Sequence, residues 1–121
     1  MKGFATELGL HEEMAAGGRA RVAFEAREQH LNPGGTVHGG LLATMVDTAM
    51  ASAVRSATDD GEVPATTQLT LAFLRAARPG QLTVTAQITK QGEHLMLCEA
   101  DVEQAGNTLV HGIGTFAVLR R

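Results

Sequence analysis

Between Gly39 and Val54 the chain carries a single ionisable side chain, Asp47, in a run of Leu, Ala, Met, Val, Thr and Gly with one Ser. No other stretch restricts the fold as much. A helix of this composition is apolar all round and is expected to be covered on every side. At 1.5 Å per residue it extends roughly 25–30 Å, about the length of a nine-residue strand, so a sheet can wrap it from end to end. A carboxylate inside such a helix is costly to bury unless it is hydrogen-bonded or borders a wet cavity. Asp47 therefore has to be accounted for by chemistry or by a specific partner.

The helix, expected from about Gly40 to Ala57, follows a polar loop from Glu28 to His38 whose Asn32-Pro33-Gly34-Gly35 sequence suits neither helix nor strand. Ahead of that loop, Val22, Phe24 and Ala26 alternate with Ala23, Glu25 and Arg27, which reads as a strand. The weakly patterned Glu7–Ala16 segment, turned by Gly17-Gly18, is either a second strand of that hairpin or irregular cover. After Pro64 the pattern is strand-like almost to the end. Thr67, Leu69, Leu71 and Phe73 alternate with Thr66, Gln68, Thr70 and Ala72, as Leu82, Val84, Ala86 and Ile88 do with Thr83, Thr85, Gln87 and Thr89; two further strands follow, Leu95–Val102 and Leu109–Leu119. Turn signals at Arg78-Pro79-Gly80, Gln91-Gly92-Glu93 and Gly106-Asn107 separate them, which predicts an antiparallel meander of four strands. The expected architecture is α+β, five or six antiparallel strands wrapped around one long helix, in a single domain spanning residues 1–121.

Composition narrows the function. With 121 residues the chain can bury a core without disulfides or metal, although Trp and Tyr are absent and only four Phe are available to fill it. A formal net charge of −3 with scattered Lys and Arg leaves no footprint for nucleic acid. The single cysteine, Cys98, excludes an internal disulfide, fits a reducing cytoplasm, and reads as a small core residue. Met1–Leu10 has no apolar centre, so no signal peptide is expected, and the 39–54 run is too short to span a membrane. His11, His30, His94 and His111 lack metal-ligand spacing with one another or with Cys98, so no metal is expected.

His38-Gly39-Gly40 sits where loop becomes helix. The first amides of a helix lack internal partners and carry the positive end of its dipole, and glycine lets a ligand come close to them. Such amides can stabilise a carbonyl oxygen that turns negative during reaction. The plainer reading is a tight start to the helix. Asp47, two turns beyond Gly40 and on a similar face, can serve as a general base on water or as a nucleophile; the plain alternative is a buried Asp bonded to nearby backbone or Thr groups, or one at a subunit contact. Asn32, Thr66 and Thr67 are further candidates for orienting water or substrate, and His38 for hydrogen bonding in the site. Each also has a structural reading, as loop-stabilising or ordinary strand residues.

The spacing Asn32…His38-Gly39-Gly40…Asp47, with the Thr66–Phe73 strand and the Pro79-Gly80 turn, resembles the hot-dog-fold acyl-CoA thioesterases, and among them the phenylacetic-acid-degradation (PaaI) type. The resemblance extends from about residue 8 to 119. It implies a hot-dog fold and hydrolysis of a small-to-medium acyl- or aryl-CoA to free acid and CoA. Asp47 is then the catalytic carboxylate, the Gly40 amide, with Gly39, polarises the thioester carbonyl, Asn32 and His38 shape the pocket, and Thr66 or Thr67 holds the attacking water. It further implies a homodimer with sites shared between chains, pairing into a homotetramer, and no cofactor beyond the CoA of the substrate. One of Arg75, Arg78, Lys90 and Arg120 would meet the CoA phosphates. The competing readings are a non-catalytic acyl-CoA-binding module and a hot-dog enoyl-CoA hydratase.

Overall fold

The protein is described by a computed structural model covering residues 3–120. Met1, Lys2 and Arg121, which the expected 1–121 domain includes, lie outside the described residues. A short helix α1 (Phe4–Leu8) precedes the hairpin β1 (His11–Ala16) and β2 (Arg19–Ala26), which resolves the ambiguous N-terminal segment into both helix and strand. A single 3-10 turn, Glu28–His30, opens the loop that leads to the long helix α2 (Gly39–Arg55). Four strands complete the chain: β3 (Glu62–Phe73), β4 (Gly80–Gln91), β5 (Leu95–Gln104) and β6 (Asn107–Arg120).

All six strands form one antiparallel sheet in the order β1-β2-β4-β5-β6-β3. The expected four-strand meander is therefore corrected to three strands, β4-β5-β6. The strand β3 pairs with β6, with Thr66 opposite Phe116 and Phe73 opposite Val110. Residues 74–79 carry the chain back past three inter-strand spacings, roughly 14 Å, which six extended residues can reach. Backbone bonds fix this crossover: Leu74 and Arg75 donate to the Leu109 carbonyl at 2.7 and 3.1 Å, and the Gln104 side chain clamps the Arg78 backbone. Pro64 is tolerated because β3 is an edge strand.

The inner face of the sheet holds α2. Met45, Val46, Ala49, Met50, Ala53 and Val54 are buried against Val22, Leu82, Val84, Val102, Val110 and Phe116. Gly112 and Gly114 on β6 make room: a Cβ at Gly112 would lie 2.8 Å from Val46 Cγ1, and one at Gly114 2.7 Å from Met50 Sδ. The helix is not covered all round, as its composition suggested. Ala43, Thr44, Asp47, Thr48 and Ala51 are only partly buried and Gly40 is exposed, a continuous stripe pointing away from the sheet. The stripe is made of Gly, Ala and Thr around one Asp, and Ala also occurs on the buried face, which is why composition hid the second face. No helix among the described residues is long and apolar enough to cross a membrane.

Candidate active site

The loop before α2 is built by Asn32. Its Oδ1 accepts from the amides of Gly34 (2.9 Å) and Thr36 (3.3 Å), and its Nδ2 donates to Thr36 Oγ1 at 3.1 Å. Leu31 and Val37 bridge across the loop, and Val37 N–H donates to the Ala77 carbonyl at 2.9 Å. The crossover from β3 to β4 thereby fixes the height at which the loop delivers His38 to the helix. Asn32 borders a cleft at the helix start, but its polar atoms are engaged within its own turn.

His38 is the N-cap of α2. Its Nδ1 accepts the Gly40 N–H at 2.8 Å, so the neutral ring carries its proton on Nε2. Glycine at 40 permits this, because a Cβ there would stand 2.9 Å from the same Nδ1. Of the two amides expected to face a carbonyl oxygen, Gly40 is thus occupied by the His38 ring. Gly39 N–H has no backbone partner among the described residues, and the Phe73 ring lies against that glycine. Nothing in the motif pointed to the Phe73 contact or to a histidine cap, since histidine is not among the usual N-capping residues.

Asp47 stands two turns on, half-buried on the outward stripe. Its Oδ1 accepts a 2.7 Å hydrogen bond from Thr66 Oγ1. A β-bulge between Thr66 and Gln68 separates the two threonines: Thr66 turns to the helix, while Thr67 Oγ1 donates to the Thr115 carbonyl at 2.9 Å. The bulge thus joins Asp47 to Thr66 and leaves Thr67 bonded to the neighbouring strand. Asp47 is bonded through Oδ1 alone among the side-chain hydrogen bonds of the described residues, which leaves Oδ2 for a water or a carbonyl carbon.

Two openings flank the helix start. One, of about 330 Å³, includes Asn32, Gly39, Phe73 and Arg75; the other, of about 360 Å³, includes Phe4, Leu8, Leu31, His38, Gly40 and Thr44. Of the four candidate cations for CoA, Arg75 is the one at the helix start, and Arg120 is paired with Glu62 at 3.6 Å. Cys98 is buried on the inner face of the sheet, and burial pushes its thiol up to about 11.

Residues 34–111 match the thioesterase superfamily, which covers the glycine loop, the helix, Asp47 and the strand pair β3–β6 as far as His111. The chain belongs to the thioesterase superfamily. Human acyl-coenzyme A thioesterase 13 is 32% identical over 89 residues, 73% of this chain and 63% of the relative. The Escherichia coli PaaI protein of the phenylacetic acid degradation operon superposes with a TM-score of 0.88 at 30% identity, over 95% of this chain and 83% of that one. A Bacillus halodurans protein solved with CoA superposes at 0.79 with 32% identity, over 82% and 66% of the two chains. The thioesterase therefore has the hot-dog architecture, and its chemistry is thioester hydrolysis.

Proposed function

We propose that this thioesterase hydrolyses small-to-medium acyl- or aryl-CoA at sites shared between two copies of the chain. The observation that carries the reading is the Asp47 carboxylate, oriented by Thr66 at 2.7 Å on the outward face of α2. Water attacks the thioester carbonyl carbon as its proton passes to Asp47, or Asp47 attacks directly and water then opens the resulting anhydride. In both routes the C–S bond breaks and CoA leaves as a thiolate that takes a proton from solvent. The helix-start amides at Gly39 and Gly40 stabilise the oxygen that becomes negative, after the carbonyl displaces the His38 ring from the Gly40 N–H.

Helix geometry argues that one chain does not supply both halves. Seven residues separate Gly40 from Asp47, about 10 Å along the axis. Helical N–H groups point towards the N-terminus, so a carbonyl bound at Gly40 lies farther still from Asp47 of the same chain. A second copy can close that gap. The edge strand β3 has twelve residues and no charge after Glu62, whereas the opposite edge, β1, is six residues long and carries Glu12 and Glu13. A long uncharged edge is a template for pairing, and antiparallel pairing across a two-fold axis puts the same contact on both copies. Thr66 and Asp47 lie beside that edge, where they meet the partner's helix start. Dimers of this kind then pair into tetramers in the cytoplasm.

The named relatives support acyl-CoA as the substrate class, and Arg75 beside the Gly39 cleft suits the anionic CoA arm. The direct test is thiol release from short, long, aromatic and hydroxylated acyl-CoAs, with Asp47→Asn as control. Turnover with at least one acyl-CoA, lost in a folded Asp47→Asn protein, is expected. Full turnover in that variant would remove Asp47 from the mechanism.

A further inference from the structure

We infer that the acyl group of the substrate lies in the groove between α1 and α2, and that Phe4 and Leu8 set how long an acyl chain it accepts. This rests on the acyl-CoA reading above and assigns the two ends of the substrate to opposite sides of the helix start. Gly40, the amide proposed to hold the carbonyl oxygen, lines the groove, so an acyl chain bonded to that carbonyl can run into it directly. Its apolar walls are Phe4, Leu8, Leu31 and Leu41, with Thr44 also lining it. Among the described residues no Asp, Glu, Lys or Arg lines it.

Of the polar groups at its rim, His38 Nδ1 holds the Gly40 amide, His30 Nδ1 holds the Arg27 amide at 2.8 Å and Thr44 Oγ1 donates to the Gly40 carbonyl, while the exposed Gln29 side chain also lines it. What is left for a guest is mainly apolar. The opposite cleft, beside Gly39, carries Arg75 and suits the charged arm instead. Phe4 supplies an independent sign. It is 70% exposed on a five-residue helix that buries none of its own residues, yet its ring lines this groove. At about 360 Å³ the groove lies near the lower end of the roughly 300–1,000 Å³ usual for ligand pockets, which fits a medium-length or single-ring acyl group.

Non-hydrolysable thioethers test the assignment without relying on turnover. Calorimetric titrations of free CoA, S-ethyl-CoA and S-octyl-CoA give the affinity gained by lengthening the alkyl group. Each methylene removed from water is worth up to about fourfold in affinity, so wild type should bind the octyl compound at least tenfold tighter than the ethyl one. Phe4→Ala, at an exposed side chain, should erase threefold or more of that preference and leave CoA binding unchanged. Leu8→Trp, which fills the groove, should weaken the octyl compound and spare the ethyl one. Equal affinities of octyl and ethyl compounds in wild type would overturn the inference, as would an undiminished preference in both variants. An octyl preference without hydrolysis of any acyl-CoA would sink the proposed function while keeping the groove; hydrolysis without the preference would do the reverse.

Discussion

Replacing Thr66 by Val removes one hydrogen bond and almost nothing else. The two side chains are nearly isosteric, both are β-branched, and position 66 is exposed on an edge strand, so the strand itself should persist. The lost contact is the 2.7 Å bond to Asp47 Oδ1. Hydrogen bonds to charged groups are worth about 1.5–3 kcal/mol. Here water can partly replace the hydroxyl, which brings the net loss down to about 1 kcal/mol. That is roughly a fivefold fall in the population of correctly turned carboxylate, and kcat should fall by the same factor with KM unchanged. Steady-state thiol release measures both constants. The double-mutant cycle is the stricter assay: once Asp47 is Asn, Thr66→Val should cost nothing further, because its only role was to orient the carboxylate. An unchanged kcat in the single variant would refute that role. A fivefold loss that persists beside Asp47→Asn would show Thr66 acting on water or substrate by itself.

Three further outcomes follow from the geometry. Gly40→Val puts a branched side chain where the His38 ring sits, 2.9 Å from Cβ to Nδ1, and should lower kcat by about 10²–10³, the usual cost of one oxyanion donor, as read by thiol release. Gly112→Ala forces a methyl to within 2.8 Å of Val46 Cγ1 and 2.9 Å of Leu71 Cδ2; the overpacking of about 1–3 kcal/mol should lower Tm by about 4–12 °C in a melting curve. Cys98, buried and with its pKa raised to about 11, should resist alkylation at pH 8 until the protein unfolds; because the folded thiol holds its proton more tightly, its contribution to stability is present below pH 9 and lost as pH rises towards 11, which denaturation at stepped pH would register.

The sequence spoke clearly where the signal was local. A run from Gly39 to Val54 with one charge could only be the helix of the core, and the alternation in Val22–Ala26 and Leu82–Ile88 gave strands that the structure retains. Neighbour relations were hidden because alternation reports a strand's faces and is silent about its partners. The six residues from Leu74 to Pro79 exceed a tight hairpin connection and were the one hint that β3 does not pair with β4. The bulge at Thr66–Gln68 shifts the face of every residue before it, so strict alternation put Thr67 where Thr66 belongs. The outward stripe of α2 escaped notice for a different reason. Ala and Thr serve equally in a core or against another protein copy, and only the uncovered face in three dimensions distinguishes the two. His38 as a cap was illegible because the residue types that usually cap helices do not include it.

Sharing of each site between two chains is the claim on which the mechanism depends, and subunit mixing tests it directly. One preparation carries Asp47→Ala and the other Gly40→Val, each nearly inactive alone. After subunit exchange, a two-fold dimer containing one of each has one site with both defects and one site with neither. Random exchange should then restore about one quarter of wild-type activity, since half the dimers are mixed and each has one intact site. No recovery, with exchange proven by mass spectrometry of the mixed dimers, would mean that each chain holds its own complete site.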